Sequence, residues 1–181
     1  MFCIISISEE YYHGFMGTDE NLKKAVAGES QAYRRYRAFA DRAAREGYPN
    51  IAKLFRAVSE SEAVHATNEL LLMKAIKSTA ENLQAAIEGE TYEYTTMYPD
   101  FSVAAEKEGK KAAVKIFDET QEVEHFHAAY YKEALKNVEA KKDIPARDYY
   151  VCSVCGNTVP NEAPDECPVC RAKKSSFRKV E

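Results

Sequence analysis

Glu46 to Ala66 reads EGYPNIAKLFRAVSESEAVHA, and Glu108 to Ala128 reads EGKKAAVKIFDETQEVEHFHA. The two stretches align without a gap at an offset of sixty-two. Glu46-Gly47 matches Glu108-Gly109, and Lys53-Leu54-Phe55 matches Lys115-Ile116-Phe117. Glu62, His65 and Ala66 match Glu124, His127 and Ala128. An internal repeat of this kind means one structural unit used twice.

What repeats is an apolar helix stripe with a Glu and a His set into it. Ile51, Leu54, Phe55 and Val58 recur at three- and four-residue spacing, the mark of a buried helix face. The stripe continues through Glu62, His65, Glu69 and Leu72. In the second copy it runs from Phe117 through Glu124, His127, Tyr131 and Leu135. Residues three apart are neighbours on a helix, so each Glu–His pair reaches one point. A carboxylate on an inward face is costly without a positive partner. One such pair is accounted for by an ion pair inside a bundle. Two in matching register favour a metal. The nearby pair Glu122–His125 breaks the register set by Phe55 and Phe117 and reads as peripheral.

Working outward, Thr18 or Asp19 suits the cap of a first helix. Its inward face runs Leu22, Val26, Glu29, Tyr33 or Tyr36, Ala40 and Ala43. Gly47 ends it, and Pro49 opens the second helix. Ser78 or Thr79 caps a third helix with Leu83, Ile87, Glu90, Glu93 and Met97 inward, and Pro99 is expected to kink or interrupt it. A fourth helix runs from about Lys110 to Ala140. Gly28-Glu29-Ser30 matches Gly89-Glu90-Thr91 at an offset of sixty-one, one short of the later repeat. A small loop difference between the halves would absorb that residue. Glu93 has no counterpart in the first half, where Ala32 stands.

The candidate ligands are therefore Glu29, Glu62, His65, Glu90, Glu93, Glu124 and His127. One Glu from each of two helices, with Glu-x-x-His from each of two others, is the pattern of di-iron and di-manganese carboxylate bundles. Oxygen-rich ligands with one imidazole per metal suit iron or manganese better than zinc or copper. Two divalent ions leave the five carboxylates at minus one, and two trivalent ions leave them at plus one. Either state is tolerable in a low-dielectric core.

The chain's 181 residues allow one sizeable core and a small module. A net charge of -4 gives no reason to expect nucleic acid or an anionic membrane as partner. The basic run Tyr33-Arg34-Arg35-Tyr36-Arg37 spreads around its helix and reads as a solvated face. No apolar run approaches a membrane span. The opening MFCIISIS lacks a basic leader and turns acidic at Glu9-Glu10, so it makes a poor secretory signal. Four of the five cysteines form one tight motif, which fits a reducing cytoplasm.

That motif follows the charged linker around Lys142 to Arg147. Cys152 and Cys155 form one CxxC, Cys167 and Cys170 another, with eleven residues between them. Paired CxxC knuckles with this spacing are a strong metal signal. A zinc ribbon and a four-thiolate iron both satisfy it. The neighbouring redox-capable site tilts the reading towards iron.

GES, E-x-x-H-A, GETYE and a second E-x-x-H-A, followed by CxxCG and CPxC, resemble rubrerythrin from about Asp19 to the C-terminus. The resemblance implies a mainly α fold, a ferritin-like four-helix bundle followed by a small rubredoxin-like β module. The expected layout is an N-terminal extension (1–17), a bundle (18–141), a linker (142–147) and a rubredoxin-like domain (148–181). It implies a carboxylate-bridged di-iron centre on the seven ligands above. It implies a rubredoxin-type iron on Cys152, Cys155, Cys167 and Cys170. Tyr36 and Tyr98 occupy the places of tyrosines that bond to ligand carboxylates, although ring packing would also explain them. The family moves one iron between a His and the extra Glu, here His65 and Glu93. Arg171 departs from the Gly usual after the last cysteine, which puts that knuckle's turn in question.

The implied activity is reduction of hydrogen peroxide to water, with Glu93 delivering a proton and electrons relayed through the cysteine iron. The chain has no G-x-G-x-x-G run, so it needs a separate electron donor, a rubredoxin or an NAD(P)H-dependent reductase. The implied assembly is a head-to-tail homodimer or higher homo-oligomer, with one subunit's cysteine module beside another's bundle. Two rival readings are an iron-storage ferroxidase, which needs a closed shell, and a zinc-ribbon sensing module, which would not turn over.

Overall fold

The computed structural model describes residues 17–181. Cys3 and all of the expected N-terminal extension except Gly17 lie outside the described residues. The chain divides into two compact units, one ending at Ile76 and the other starting at Lys77. The expected boundary around residues 142–147 falls inside the second unit.

The first unit is a helical hairpin of α1 (Thr18–Arg45) and α2 (Pro49–Leu72). Thr18 is already helical and Gly17 takes the cap position, so the expected side-chain cap does not form. Asp19 and Glu20 instead favour the helix start through its dipole. At the other end Gly47 is left-handed, with φ 86°. Its N–H meets Ala44 O at 3.2 Å and Tyr48 N–H meets Ala43 O at 2.9 Å, which satisfies two terminal carbonyls. Pro49 opens α2 as its fixed φ permits.

Small residues hold the hairpin together. Ala40 and Ala43 pack against Ala52, with Phe55 laid over them. Ala52, Ser59 and Ala66 are all buried and stand seven residues, about two turns, apart along α2. Ser59 donates to Tyr33 O at 2.9 Å. This row differs from the stripe that the apolar spacing marks as inward. Leu54 is 62% exposed and Leu72 68%. Small side chains let two helices approach closely, so the Ala/Ser row, rather than the bulky one, meets α1.

The second unit opens with a capping box at Ser78, whose partner is Glu81. α3 (Thr79–Tyr92), a π-helical turn (Glu93–Met97) and α4 (Tyr98–Lys107) follow without a break. Pro99 sits in the first turn of α4 and does not interrupt the run. A π turn adds one residue to a helix. That residue is the missing one in the repeat: the offset is sixty-one at Glu29 and Glu90, before the turn, and sixty-two at Tyr36 and Tyr98, after it. The insertion lies inside the helix, not in a loop. After it the halves match closely. Tyr36, Phe39 and Phe55 form a ring cluster with centroid spacings of 6.1, 6.2 and 5.6 Å. Tyr98, Phe101 and Phe117 form another with the same three spacings.

Gly109, left-handed at φ 71°, turns the chain into α5 (Lys111–Glu139). Beyond it β1 (Tyr149–Cys152) is flanked by β2 (Thr158–Pro160) and β3 (Phe177–Val180), antiparallel to both. Arg147 ties this module back to α5 through Glu133 at 2.6 Å. Among the described residues, four helical runs and a three-stranded module agree with the expected fold class. Among the described residues no helix is long and apolar enough to cross a membrane.

Candidate metal centres

The seven expected bundle ligands fall three in the first unit and four in the second. In the first, Glu29 on α1 meets Glu62 and His65 on α2, with ligand atoms within 4.8 Å of one another. His65 Nδ1 lies 2.9 Å from Glu62 Oε2. A hydrogen bond to Glu62 raises the Glu29 carboxyl above its ordinary range, with burial and the Glu62 charge adding to it. Only a protonated carboxyl can donate to a carboxylate, so this contact favours the protonated form of Glu29. Glu69, one turn beyond His65, has a buried Oε2 without a hydrogen-bond partner.

In the second unit Glu90 on α3 meets Glu124 and His127 on α5 within the same 4.8 Å. His127 Nδ1 is 2.6 Å from Glu124 Oε2 and 3.9 Å from Glu90 Oε2. Burial, then the hydrogen bond and charge of Glu124, push Glu90 up to about 7. Burial opposes ionisation of Glu124, but hydrogen bonds from His127 and Glu90 outweigh it and hold this carboxyl low. His127 is raised, first by its bond to Glu124. Glu93 lies in the π turn beside this group. Burial, then Glu124, raises its carboxyl.

Both clusters thus offset crowded carboxylates with protons and imidazole. A cation of two or three positive charges would do the same with the same atoms. The donor set, oxygen-rich with one nitrogen per cluster, fits iron or manganese. Glu122 and His125 are exposed, and His125 packs on the Tyr94 ring at 4.8 Å. Burial, then the charges of Glu93, Glu124 and Glu90, raises the Tyr98 hydroxyl. Tyr36 belongs to the ring cluster of the first unit.

The four cysteines converge at the end of the β module where β1 turns into β2. Cys152 Sγ and Cys170 Sγ are 3.7 Å apart, as are Cys155 Sγ and Cys167 Sγ. Ligands about 2.3 Å from a tetrahedral ion stand about 3.8 Å apart, so the cage fits one metal. A disulfide would need about 2.05 Å. Each knuckle closes by one N–H: Gly156 to Cys152 O at 2.9 Å, and Arg171 to Cys167 O at 3.0 Å. Gly156 has φ 85° and Arg171 φ 63°, so Arg171 takes the left-handed turn and the second knuckle is kept. Backbone N–H groups of Val169 and Cys170 aim at the Cys167 sulfur. Burial, with the neighbouring thiols adding to it, pushes the Cys155 thiol up, the state that a bound cation would reverse.

Thr158 was not a sequence candidate. Its Oγ1 lies 3.3 Å from His127 Nε2, and its carbonyl accepts from Tyr130 at 3.0 Å. Thr158 stands three residues past Cys155, so the cysteine module touches a Glu–His cluster of the same chain. Nothing in the sequence pairs residues thirty-one apart in this way. Leu83, Tyr131 and Ile144 are among the residues that close a cavity of about 350 Å³ beside this contact.

Residues 20–135 match the family model described as Rubrerythrin, and residues 150–178 match the one described as Rubrerythrin, rubredoxin-like domain. Rubrerythrin-2 of Clostridium acetobutylicum is 34% identical over 89% of this chain and 95% of its own. Nigerythrin of Nitratidesulfovibrio vulgaris is 34% identical over 88% of this chain and 85% of its own. A solved structure of nigerythrin in a fully reduced, all-ferrous state aligns over 98% of this chain and 92% of its own, at 31% identity and a TM-score of 0.54.

Proposed function

The chain belongs to the rubrerythrin family, and from that premise we propose that it is a peroxidase that reduces hydrogen peroxide to water. Two iron ions on Glu29, Glu62, His65, Glu90, Glu93, Glu124 and His127 would supply the two electrons, and an iron on Cys152, Cys155, Cys167 and Cys170 would restore them singly. The balance is one peroxide, two protons and two electrons to two waters.

The observation that carries this reading is the His127–Thr158 contact at 3.3 Å. A ligating histidine orients by donating its other ring N–H. Here Nδ1 faces the carboxylates and Nε2 faces the cysteine module. The two chemistries therefore meet at one imidazole, which a relay needs and which iron storage has no use for. When it is not on a metal, Glu93 would be the proton source, and in metal-free protein burial, then Glu124, raises its carboxyl. Tyr98, held in its neutral form by burial and the same carboxylates, is a second donor facing them. Tyr36 holds the equivalent place in the first unit's ring cluster and would be the matching donor there. Electrons come from a separate rubredoxin or NAD(P)H-dependent reductase in the cytoplasm.

The test is anaerobic. Reduced protein is mixed with one equivalent of peroxide, and peroxide loss is followed with water as product. Steady turnover is then measured with a reductase and NADH. Rapid oxidation followed by turnover is expected. Inert reduced protein with full metal would overturn the reading. Oxidation of added ferrous ion into a large shell would favour the ferroxidase instead.

A further inference from the structure

α2 ends at Leu72 and α3 begins at Thr79, so residues 73–78 alone join the two units. Much of that connection is spent on closing helices. Lys74 is left-handed at φ 53°. Its N–H meets Leu71 O at 3.0 Å, and Ala75 N–H meets Leu70 O at 3.0 Å, a Schellman turn. At the far end Lys77 N–H is held by Asn82 Oδ1 at 2.9 Å. Even fully extended, the seven steps from Leu72 to Thr79 span at most about 25 Å.

A ferritin-like bundle joins its two hairpins by one long crossover, which makes the second and third helices parallel. A shared metal site also sets Glu62 level with Glu90. Glu62 stands ten residues before the end of α2, and Glu90 eleven after the start of α3. At ~1.5 Å per residue the crossover must cover roughly 31 Å. The connection is too short for that, and as capped it reaches much less.

Each unit also leaves the same point of its ligand row bare. Leu54 is 62% exposed and its repeat equivalent Ile116 is 60% exposed. Each stands eight residues before its Glu, at Glu62 and Glu124. The His65 side chain on the same row is 53% exposed. Two half-bundles thus carry two half-sets of ligands and two uncovered apolar faces.

We propose that two copies of this chain exchange hairpins. The α1–α2 hairpin of one copy completes the bundle and the metal site with α3, α4 and α5 of the other. The dimer then holds two sites, each built from both chains, and each short connection bridges two bundles instead of spanning one. The ligand pairing rests on the two-metal reading above, but not on peroxidase activity.

Complementation tests this directly. One chain carries Glu62→Ala with His65→Ala and one tag; the other carries Glu124→Ala with His127→Ala and a second tag. Co-expressed, doubly tagged dimers are purified and loaded with ferrous iron. Bundle metal is read by elemental analysis after subtracting the cysteine iron, which is read from its own absorption. With exchange, one site joins two intact halves and the other two altered halves. The heterodimer should hold roughly half of the wild-type bundle metal, while each variant alone holds little. Heterodimers no better than the mean of the two variants would overturn the proposal. So would a wild-type monomer with full bundle metal in analytical ultracentrifugation. A linker lengthened by about thirty Gly/Ser residues, enough for a flexible span of about 30 Å, should release metal-loaded monomers. Restored metal without peroxide turnover would remove the proposed activity and leave the exchange standing.

Discussion

Gln121→Ala should destabilise the protein more than its size and partial exposure suggest. In the π turn Tyr98 N–H goes to Glu93 O. Pro99, five residues past Tyr94, has no N–H to offer the Tyr94 carbonyl. Gln121 supplies the donor from α5, Nε2 to Tyr94 O at 3.1 Å. Its repeat equivalent Ser59 donates to Tyr33 O at 2.9 Å, but there α1 is unbroken and the helix serves the same carbonyl. Removing Gln121 strands an acceptor, which costs about 1–3 kcal/mol, while Ser59→Ala loses one net bond of about 1 kcal/mol. For a chain of this length each 1 kcal/mol moves Tm by about 2–4 °C. The assay is a double-mutant cycle by thermal or urea unfolding of metal-loaded protein. Pro99→Ala restores an N–H at the i+5 position, so Gln121→Ala in that background should cost at least ~1 kcal/mol less. Strict additivity, or a Ser59→Ala cost equal to that of Gln121→Ala, would refute the assignment of Tyr94 as the stranded acceptor.

Other expectations follow from the two centres. Cys152→Ser should abolish the visible spectrum of the cysteine iron and steady turnover with a reductase, while chemically reduced protein is still oxidised by one peroxide; loss of both would mean that the bundle depends on the module. Glu93→Ala should keep near-normal bundle metal by elemental analysis but lower peroxide turnover by about 10²-fold or more, as for loss of a general acid; wild-type turnover would demote Glu93. His127→Ala should lose bundle metal and His125→Ala should not, the reverse result refuting the register argument. In metal-free protein Glu90 is raised from 4.5 to about 7, so its contribution to stability is full below its unfolded value and is lost as pH rises through about 7. Chelated wild type should therefore melt lower at pH 8 than at pH 6, and Glu90→Gln should flatten that difference.

The repeat, the two Glu-x-x-His pairs and the cysteine knuckles were readable because their spacing is chemistry on one element. A carboxylate and an imidazole three apart on a helix can meet whatever surrounds them. The packed face of α2 was less readable. Hydrophobic periodicity marks where bulky apolar residues lie, and on this helix they lie on the row of Leu54, Val58 and Leu72. Ala52, Ser59 and Ala66 carry little apolar signal, yet they are the buried row. Small residues act by allowing close approach, a property of the partner helix as much as of their own sequence.

The extra residue between the halves shows the same limit and points to a use. Spacing alone located one residue too many somewhere between Glu90 and Phe117, and a loop would have absorbed it without consequence. The structure puts it in the π turn that begins at Glu93. Before the turn Glu90 keeps the register of Glu29, and after it Tyr98 keeps the register of Tyr36. The insertion is therefore confined to the stretch that bears the one carboxylate without a counterpart. A loosened turn frees a helix from the strict i→i−4 ladder. Glu93 is the carboxylate in that stretch, and it lies close enough to Glu124 and His127 to feel both charges. The repair it requires, an N–H for Tyr94 O, comes from Gln121, where the undistorted half needs only a serine. The asymmetry of the two halves is thus a single local change with its compensation on the facing helix.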